Sequence, residues 1–315
     1  MLRDIVSSCQ AVESAGIDAV WFSEHHFFDD SYLSSVFPLL GAVAARTSTL
    51  RIGTGILLAH FYNTLRLAED AATVDLLSEG RFLLGLGHGW RDPEFEAFGV
   101  DKSGMGQRLE QIVGDLRDAW SADGALRGVA VTPKPYADSG VPLWLGGKSA
   151  AQCRRAGLFA DGFITQSSRL EDISRDAALV AEGGAAADRS LEDFEFGLML
   201  PIFPWDGADG WSEVRDGVQY VYAKYRQMAD RVFTPPPADT PQRGVSTSAT
   251  QELVTGDPES LAEIVSAAIA AAQAELPNSK IHVIARSWWP GLSPAVLERS
   301  AKVFAEQVAP AVLGN

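Results

Sequence analysis

An α/β fold built as a parallel (β/α) barrel of the TIM type is the class this sequence predicts, and three observations predict it. Short apolar runs rich in Val, Ile, Leu and Phe alternate with longer segments of helical periodicity, as parallel strands joined by helical crossovers do. These units recur along the whole chain without a break in composition. Almost all glycine-rich and polar features fall just after the apolar runs, where such a barrel carries its active-site loops. Runs apolar on both faces, such as ILLA and FLLGLG, suit a doubly wound sheet as well; the last two observations favour the barrel.

Taken in order, the chain opens with Leu2–Gly16, which reads as a helix. Seven strands are predicted after it: Ala19–Phe22, Leu50–Leu58, Arg81–Gly87, Leu143–Gly147, Gly162–Thr165, Phe194–Ile202 and Lys280–Ala285. Between the second and third, a helix over Thr64–Glu79 opens after Asn63, carries Leu65, Ala68, Ala72 and Leu76 on one face, and stops at Gly80. Two later helices open on Asp257-Pro258 and Ser293-Pro294, with proline in the first turn. Two insertions interrupt the rhythm. Trp90–Gly106 reads as a mobile loop, and Pro204–Thr250 combines an aromatic helix over Trp211–Arg231 with a proline-rich stretch, Thr234–Pro241. Residues 1–315 read as a single domain.

With 315 residues and 46% hydrophobic content, the chain is long enough to bury a sizeable core. Its formal net charge of −15 argues against nucleic acid or an anionic membrane as partner, since either needs a basic face. Cys9 and Cys153 lie far apart in helix-like segments, which excludes a disulfide framework or a cysteine metal motif and points to a reducing, cytoplasmic home. Neither a signal-peptide core nor an uncharged run of membrane-spanning length is present.

His25, His26, His60 and His88 all follow predicted strands. A metal centre is the weaker reading, because adjacent strand residues point to opposite faces and no carboxylate-rich set accompanies them. His26 and His282 read as histidines with satisfied hydrogen bonds, His282 at a strand's start and hence at the barrel's stability face. Gly146-Gly147-Lys148-Ser149 follows a strand and opens a helix, so its backbone N–H groups form an anion site unless the segment is an ordinary tight turn; Gln152 lies one helical turn on. Gly53-Thr54-Gly55-Ile56 marks a bulge or a close backbone approach to a ligand. LGLGHG lacks the helix a nicotinamide-binding fingerprint requires after it. Phe61, Trp90, Trp205, Trp288 and Trp289 either wall an apolar pocket or pack in the ordinary way.

GIDAVWFSEHHF (Gly16–Phe27), TLRIGTGILLAH (Thr49–His60), LRLAEDAATVDLLSEGRFLLGLGHGW (Leu65–Trp90) and VPLWLGGKSAAQCRRAGLFADGFI (Val141–Ile164), with FAEQVAPAV (Phe304–Val312) at the end, together resemble the bacterial-luciferase-like flavin-dependent monooxygenases. That resemblance implies a (β/α)8 barrel, usually dimeric, with FMN or a deazaflavin at its C-terminal mouth. It implies an activity as well: reduced FMN from a separate flavin reductase reacts with dioxygen to a flavin hydroperoxide, which oxygenates a small organic substrate. By the same resemblance His25 is the catalytic imidazole, with Glu24 orienting it or merely solvated. Gly147, Lys148, Ser149 and Gln152 take the cofactor phosphate, with His88 and Arg108 reaching it. A cis peptide at Gly55-Ile56 lies beneath the isoalloxazine, Gly87 leaves room for the ring edge, and Phe61, Trp90 and Trp288 form the substrate pocket. A deazaflavin-dependent hydride-transfer enzyme and a non-catalytic flavin-binding protein are the alternatives. One departure stands out. Eight strands are needed and seven appear, and Leu2–Gly16 matches the helix that follows the family's first strand. A strand is therefore expected upstream of Met1, or another segment or a partner subunit closes the gap.

Overall fold

The computed structural model describes residues 2–28, 32–206, 210–228 and 254–314. Helix α1 (Leu2–Ser14) leads into β1 (Ala19–Phe22), α2 (Val36–Ala44), β2 (Arg51–Thr54), the two-residue β3 (Leu57–Leu58) and α3 (Thr64–Leu77). Next come β4 (Phe82–Gly87), α4 (Asp92–Phe98), α5 (Met105–Trp120) and a small antiparallel hairpin, β5 (Ala125–Leu126) with β6 (Val129–Ala130). The middle of the chain holds β7 (Leu143–Gly147), α6 (Ala150–Phe159), β8 (Gly162–Thr165), α7 (Leu170–Ala186) and β9 (Glu195–Leu200). Then follow β10 (Ile202–Pro204), α8 (Gly210–Met228), β11 (Val254–Gly256), α9 (Pro258–Gln273) and β12 (Lys280–Ala285). Helix α10 (Pro294–Val303), a π-helical turn over Phe304–Val308 and α11 (Ala309–Leu313) complete it.

The strands run in the order β1-β2-β4-β7-β8-β9-β12, every neighbour parallel, with β3 set beside β4. Among the described residues this is a nearly closed parallel barrel of seven strands, consistent with a (β/α)8 fold with one strand missing between β1 and β12. Burial marks the seam: β4 and β8 are buried along their whole length, whereas all four residues of β1 are only half-buried and β12 has a single buried residue, Ile284. At the N-terminal end of the interior, the Arg51 guanidinium meets Glu195 at 3.0 Å and His282 meets the same carboxylate at 2.8 Å. Burial alone raises the Glu195 carboxyl, but hydrogen bonds from His282 and Arg51 outweigh it and hold the group at about 2.

Helix boundaries follow local chemistry. Asn63 caps α3 by accepting from the Leu65 and Arg66 amides, Asp257 caps α9 and Ser293 caps α10, the last two with proline in the first turn. The predicted strand Leu50–Leu58 breaks in two after Thr54, and Phe194–Ile202 breaks at Pro201, which has no N–H to give a ladder. Trp90–Gly106, read as a mobile loop, instead carries α4, started by Pro93 and ended by Gly99 in the left-handed region at φ 65°. The aromatic helix is present as α8 and packs Val214, Val218 and Tyr222 with Phe203, Trp205 and Trp289 into a second apolar cluster. Thr234–Pro241 lies outside the described residues. Among those described, no helix is long and apolar enough to cross a membrane, and no three His, Cys, Asp or Glu side chains converge as a metal site.

Candidate active site

The floor of the C-terminal mouth is made where β2 ends. The Gly55-Ile56 peptide is cis, and Thr54 Oγ1 bonds both the N–H and the carbonyl of Gly85 at 2.8 Å, joining the broken strand to β4 through a side chain. The Ile56 side chain drops into a notch of glycines: a Cβ on Gly87 would stand 1.8 Å from Ile56 Cδ1, and one on Gly146 2.8 Å from Ile56 Cγ2. Ile56 thus fills the space beside Gly87.

Above that floor, the segment leaving β1 carries His25, only 7% exposed. Its Nδ1 donates to Glu94 Oε1 at 3.0 Å, and the same oxygen accepts the His26 amide at 2.8 Å, with the Arg91 guanidinium 3.8 Å away. Glu94 is wholly buried in the first turn of α4, and its other oxygen, Oε2, meets no hydrogen-bond partner. Burial raises its carboxyl, yet the bonds from His25 and the His26 amide prevail and keep it below the usual carboxylate range. An ionised acceptor at Nδ1 fixes the ring's tautomer with its hydrogen on that nitrogen. Glu24 does not orient His25. It is buried against His26 Nε2 (3.0 Å), the Leu58 amide (2.7 Å) and the Tyr62 hydroxyl (2.6 Å), so it holds the neighbouring histidine and the end of β3. His26 is thereby a satisfied histidine, edge-on to Phe61 and Phe98.

On the opposite side of the mouth, Ser149 caps α6, its Oγ accepting the Gln152 amide at 3.2 Å and keeping its own O–H to donate. The Gln152 side chain folds back over the turn, where a Cβ on Gly147 would meet its Cγ at 3.0 Å. His88 Nε2 bonds Gln152 Oε1 at 2.9 Å, and His60 Nε2 bonds His88 Nδ1 at 3.0 Å. Burial, with the like charges of His88 and Arg108 nearby, pushes His60 down to about 4, and burial lowers His88 too. Two buried donors in this group have no protein partner: Gln152 Nε2 and Arg108 Nε. Lys148 stands exposed at the rim, in electrostatic range of Arg286, Asp176 and Asp172.

The predicted pocket aromatics separate. Trp90, 43% exposed, stands edge-on to His25 with centroids 6.2 Å apart, and Trp288 is 51% exposed on the loop after β12. Phe61 instead stacks on Phe98 at 4.6 Å and lines, with Glu24, His26 and Tyr62, a cavity of about 580 Å³ between α2 and α3. Trp205 and Trp289 are buried in the second apolar cluster, so ordinary packing describes them. Sequence reasoning missed Glu94 and His60; the only local hint for the former was the helix-opening pair Asp92-Pro93.

Residues 1–275 match the luciferase-like monooxygenase family. The chain belongs to that family. Among curated relatives, the oxygenase component of a flavin-dependent trigonelline monooxygenase from Acinetobacter baylyi is 28% identical over 45% of this chain and 42% of its own length. An F420-dependent glucose-6-phosphate dehydrogenase from Mycobacterium tuberculosis is 30% identical over 64% of each chain. The chain thus spans about two fifths to two thirds of these relatives' lengths. Among solved structures, the monooxygenase RslO1 from Streptomyces bottropensis superposes with a TM-score of 0.76 at 21% identity, covering 98% of this chain and 93% of the other, which carries the barrel fold.

Proposed function

We propose that this luciferase-like protein is an FMN-dependent monooxygenase acting on a small organic substrate. The observation that carries the reading is the buried donor Gln152 Nε2, without a hydrogen-bond partner in the first turn of α6, which fits a cofactor phosphate; Arg108, whose buried Nε also lacks one, lies in electrostatic range of His60. Gly147, Lys148 and Ser149 complete that cradle, with His88 behind Gln152, and Ile56 on its glycines gives the isoalloxazine an apolar floor. Bound in the reduced form, FMN supplies the electrons that activate dioxygen. The protein's share begins with His25, whose Nε2 gives and takes a proton above the floor while Glu94 holds the ring by Nδ1 and stabilises its protonated form. Trp90 and Trp288 shield the mouth and contact the substrate.

A separate flavin reductase delivers the cofactor in this reading, as the name of the trigonelline relative, an oxygenase component, suggests for that protein. A homodimer in the cytoplasm is its expected state. The second reading is deazaflavin-dependent hydride transfer, favoured by the F420-dependent dehydrogenase relative. One experiment separates them: the protein is mixed with photoreduced FMN or reduced deazaflavin, with and without oxygen. Incorporation of ¹⁸O from dioxygen into a product with FMN supports the proposal; oxygen-independent turnover with the deazaflavin alone replaces it, and tight flavin binding with neither leaves a carrier.

A further inference from the structure

The hydrogen-bonded row His60–His88–Gln152 has a direction, and the direction matters for the anion site. Gln152 Oε1 can only accept, so the bond at 2.9 Å requires the hydrogen to sit on His88 Nε2. In a neutral imidazole the other nitrogen is then bare, and His88 Nδ1 must accept from His60 Nε2 at 3.0 Å. Burial lowers the proton affinity of both rings and so favours the neutral form of each. If the row ran the other way, the amide would be flipped, with its oxygen where its partnerless NH₂ now stands. Gln152 is 1% exposed and its Nε2 has no protein partner, so the amide has no other group to set it. The Arg108 guanidinium lies close enough to bear on His60, and that of Arg155, itself paired with Glu110 at 2.6 Å, on His88.

We infer that His60 and His88 are positioning residues that hold the Gln152 amide with its two N–H donors aimed at a phosphomonoester on the α6 turn. His60 acts at second hand, from a residue 28 positions before His88, which is itself 64 before Gln152. The inference rests on the phosphate reading of this turn and adds what sets the polarity of its most buried donor. A flipped amide presents a lone pair to the anion, and losing one hydrogen bond to a charged group weakens binding by about tenfold or more.

Two measurements test it. Nitrogen-15 NMR of histidine-labelled protein without cofactor reads the tautomers: His60 and His88 should both carry hydrogen on Nε2, and hydrogen on His88 Nδ1 overturns the inference. Dissociation constants for FMN and riboflavin are then compared across variants. His60→Leu should cut the preference for FMN by about tenfold with riboflavin affinity unchanged, His60→Gln should restore it because its amide can donate to His88 Nδ1, and Gln152→Glu should abolish it. A wild-type preference retained in His60→Leu defeats the positioning role alone. Equal wild-type affinities for FMN and riboflavin defeat the phosphate reading, and the inference with it.

Discussion

Replacing Glu94 by glutamine keeps the shape of the side chain and removes its charge. The amide oxygen can still accept from His25 Nδ1 and the His26 amide, the donors now 3.0 and 2.8 Å from Oε1, so the ring should stay in place. What is lost is the charged partner of a protonated imidazole. Full Coulomb attraction at about 4 Å and an effective dielectric constant of about 20 would be about 4 kcal/mol, an upper bound; the difference between charged and neutral hydrogen bonds, about 1 kcal/mol, is the realistic scale. Turnover should fall by roughly tenfold, with the acid limb of the pH–rate profile moving down by about one unit and flavin affinity unchanged. Stability should respond as well. The Glu94 carboxyl is held low in the fold, so its contribution is present above the unfolded value near 4.5 and lost as pH falls through the folded value. Glu94→Gln should flatten that part of the urea-midpoint curve. Turnover and pH profile both matching wild type would refute a role for Glu94 behind His25.

His25→Ala should lower turnover by about 10²-fold while leaving the fold and flavin binding nearly intact, and steady-state kinetics at saturating substrate decide it. Ser149→Asp keeps a good helix cap but sets a carboxylate against the phosphate, so titrations with FMN and riboflavin should show the preference for FMN erased. Gly85→Ala places a Cβ 2.0 Å from the Thr54 carbonyl oxygen, a backbone atom that cannot swing aside; a loss of about 3 kcal/mol is expected from chemical denaturation. Acid should weaken the protein in two steps. His60, lowered to about 4, makes the fold lose stability as pH drops from about 6.5 towards 4, and Glu195, held at about 2, adds a loss from about 4.5 downwards. His60→Gln should shrink the first step, His88 keeping its own share, and Arg51→Leu shrink the second, as thermal melts across pH will show.

The barrel was legible because seven apolar runs, set apart by turn chemistry and helical periodicity, each carry their own signal. Where single residues cut those runs, at Gly55 and at Pro201, the reading overshot, since periodicity averages over a window and a backbone break does not. Helix α4 escaped because its apolar positions, Phe95 and Phe98, are too few to make a stripe among the charges of RDPEFEAF. His25 and the α6 turn could be found from local motifs. Glu94 could not: it acts through a partner 69 residues away, and nothing near it in the chain announces that contact. Glu24 misled for the opposite reason, standing next to His25 in sequence while its carboxylate faces His26 and Tyr62.

The seam between β1 and β12 divides the mouth into halves of unequal firmness. Among the described residues β1 pairs only with β2 and β12 only with β9, while β4 is hydrogen-bonded on both flanks and buried throughout. Amide protons on the two outer strands need only local opening to exchange with deuterated solvent; those of β4 and β7 await a far larger rearrangement. The α6 turn grows from β7 and His88 from the end of β4, so the proposed anion site is anchored in the doubly flanked centre of the sheet. His25 hangs from β1. The proposed proton-handling imidazole thus rides on the singly flanked half of the barrel, with the Glu94 carboxylate of α4 holding it from outside the strand, and the Arg51–Glu195 pair, spanning 144 residues of chain, tying the two sides across the base.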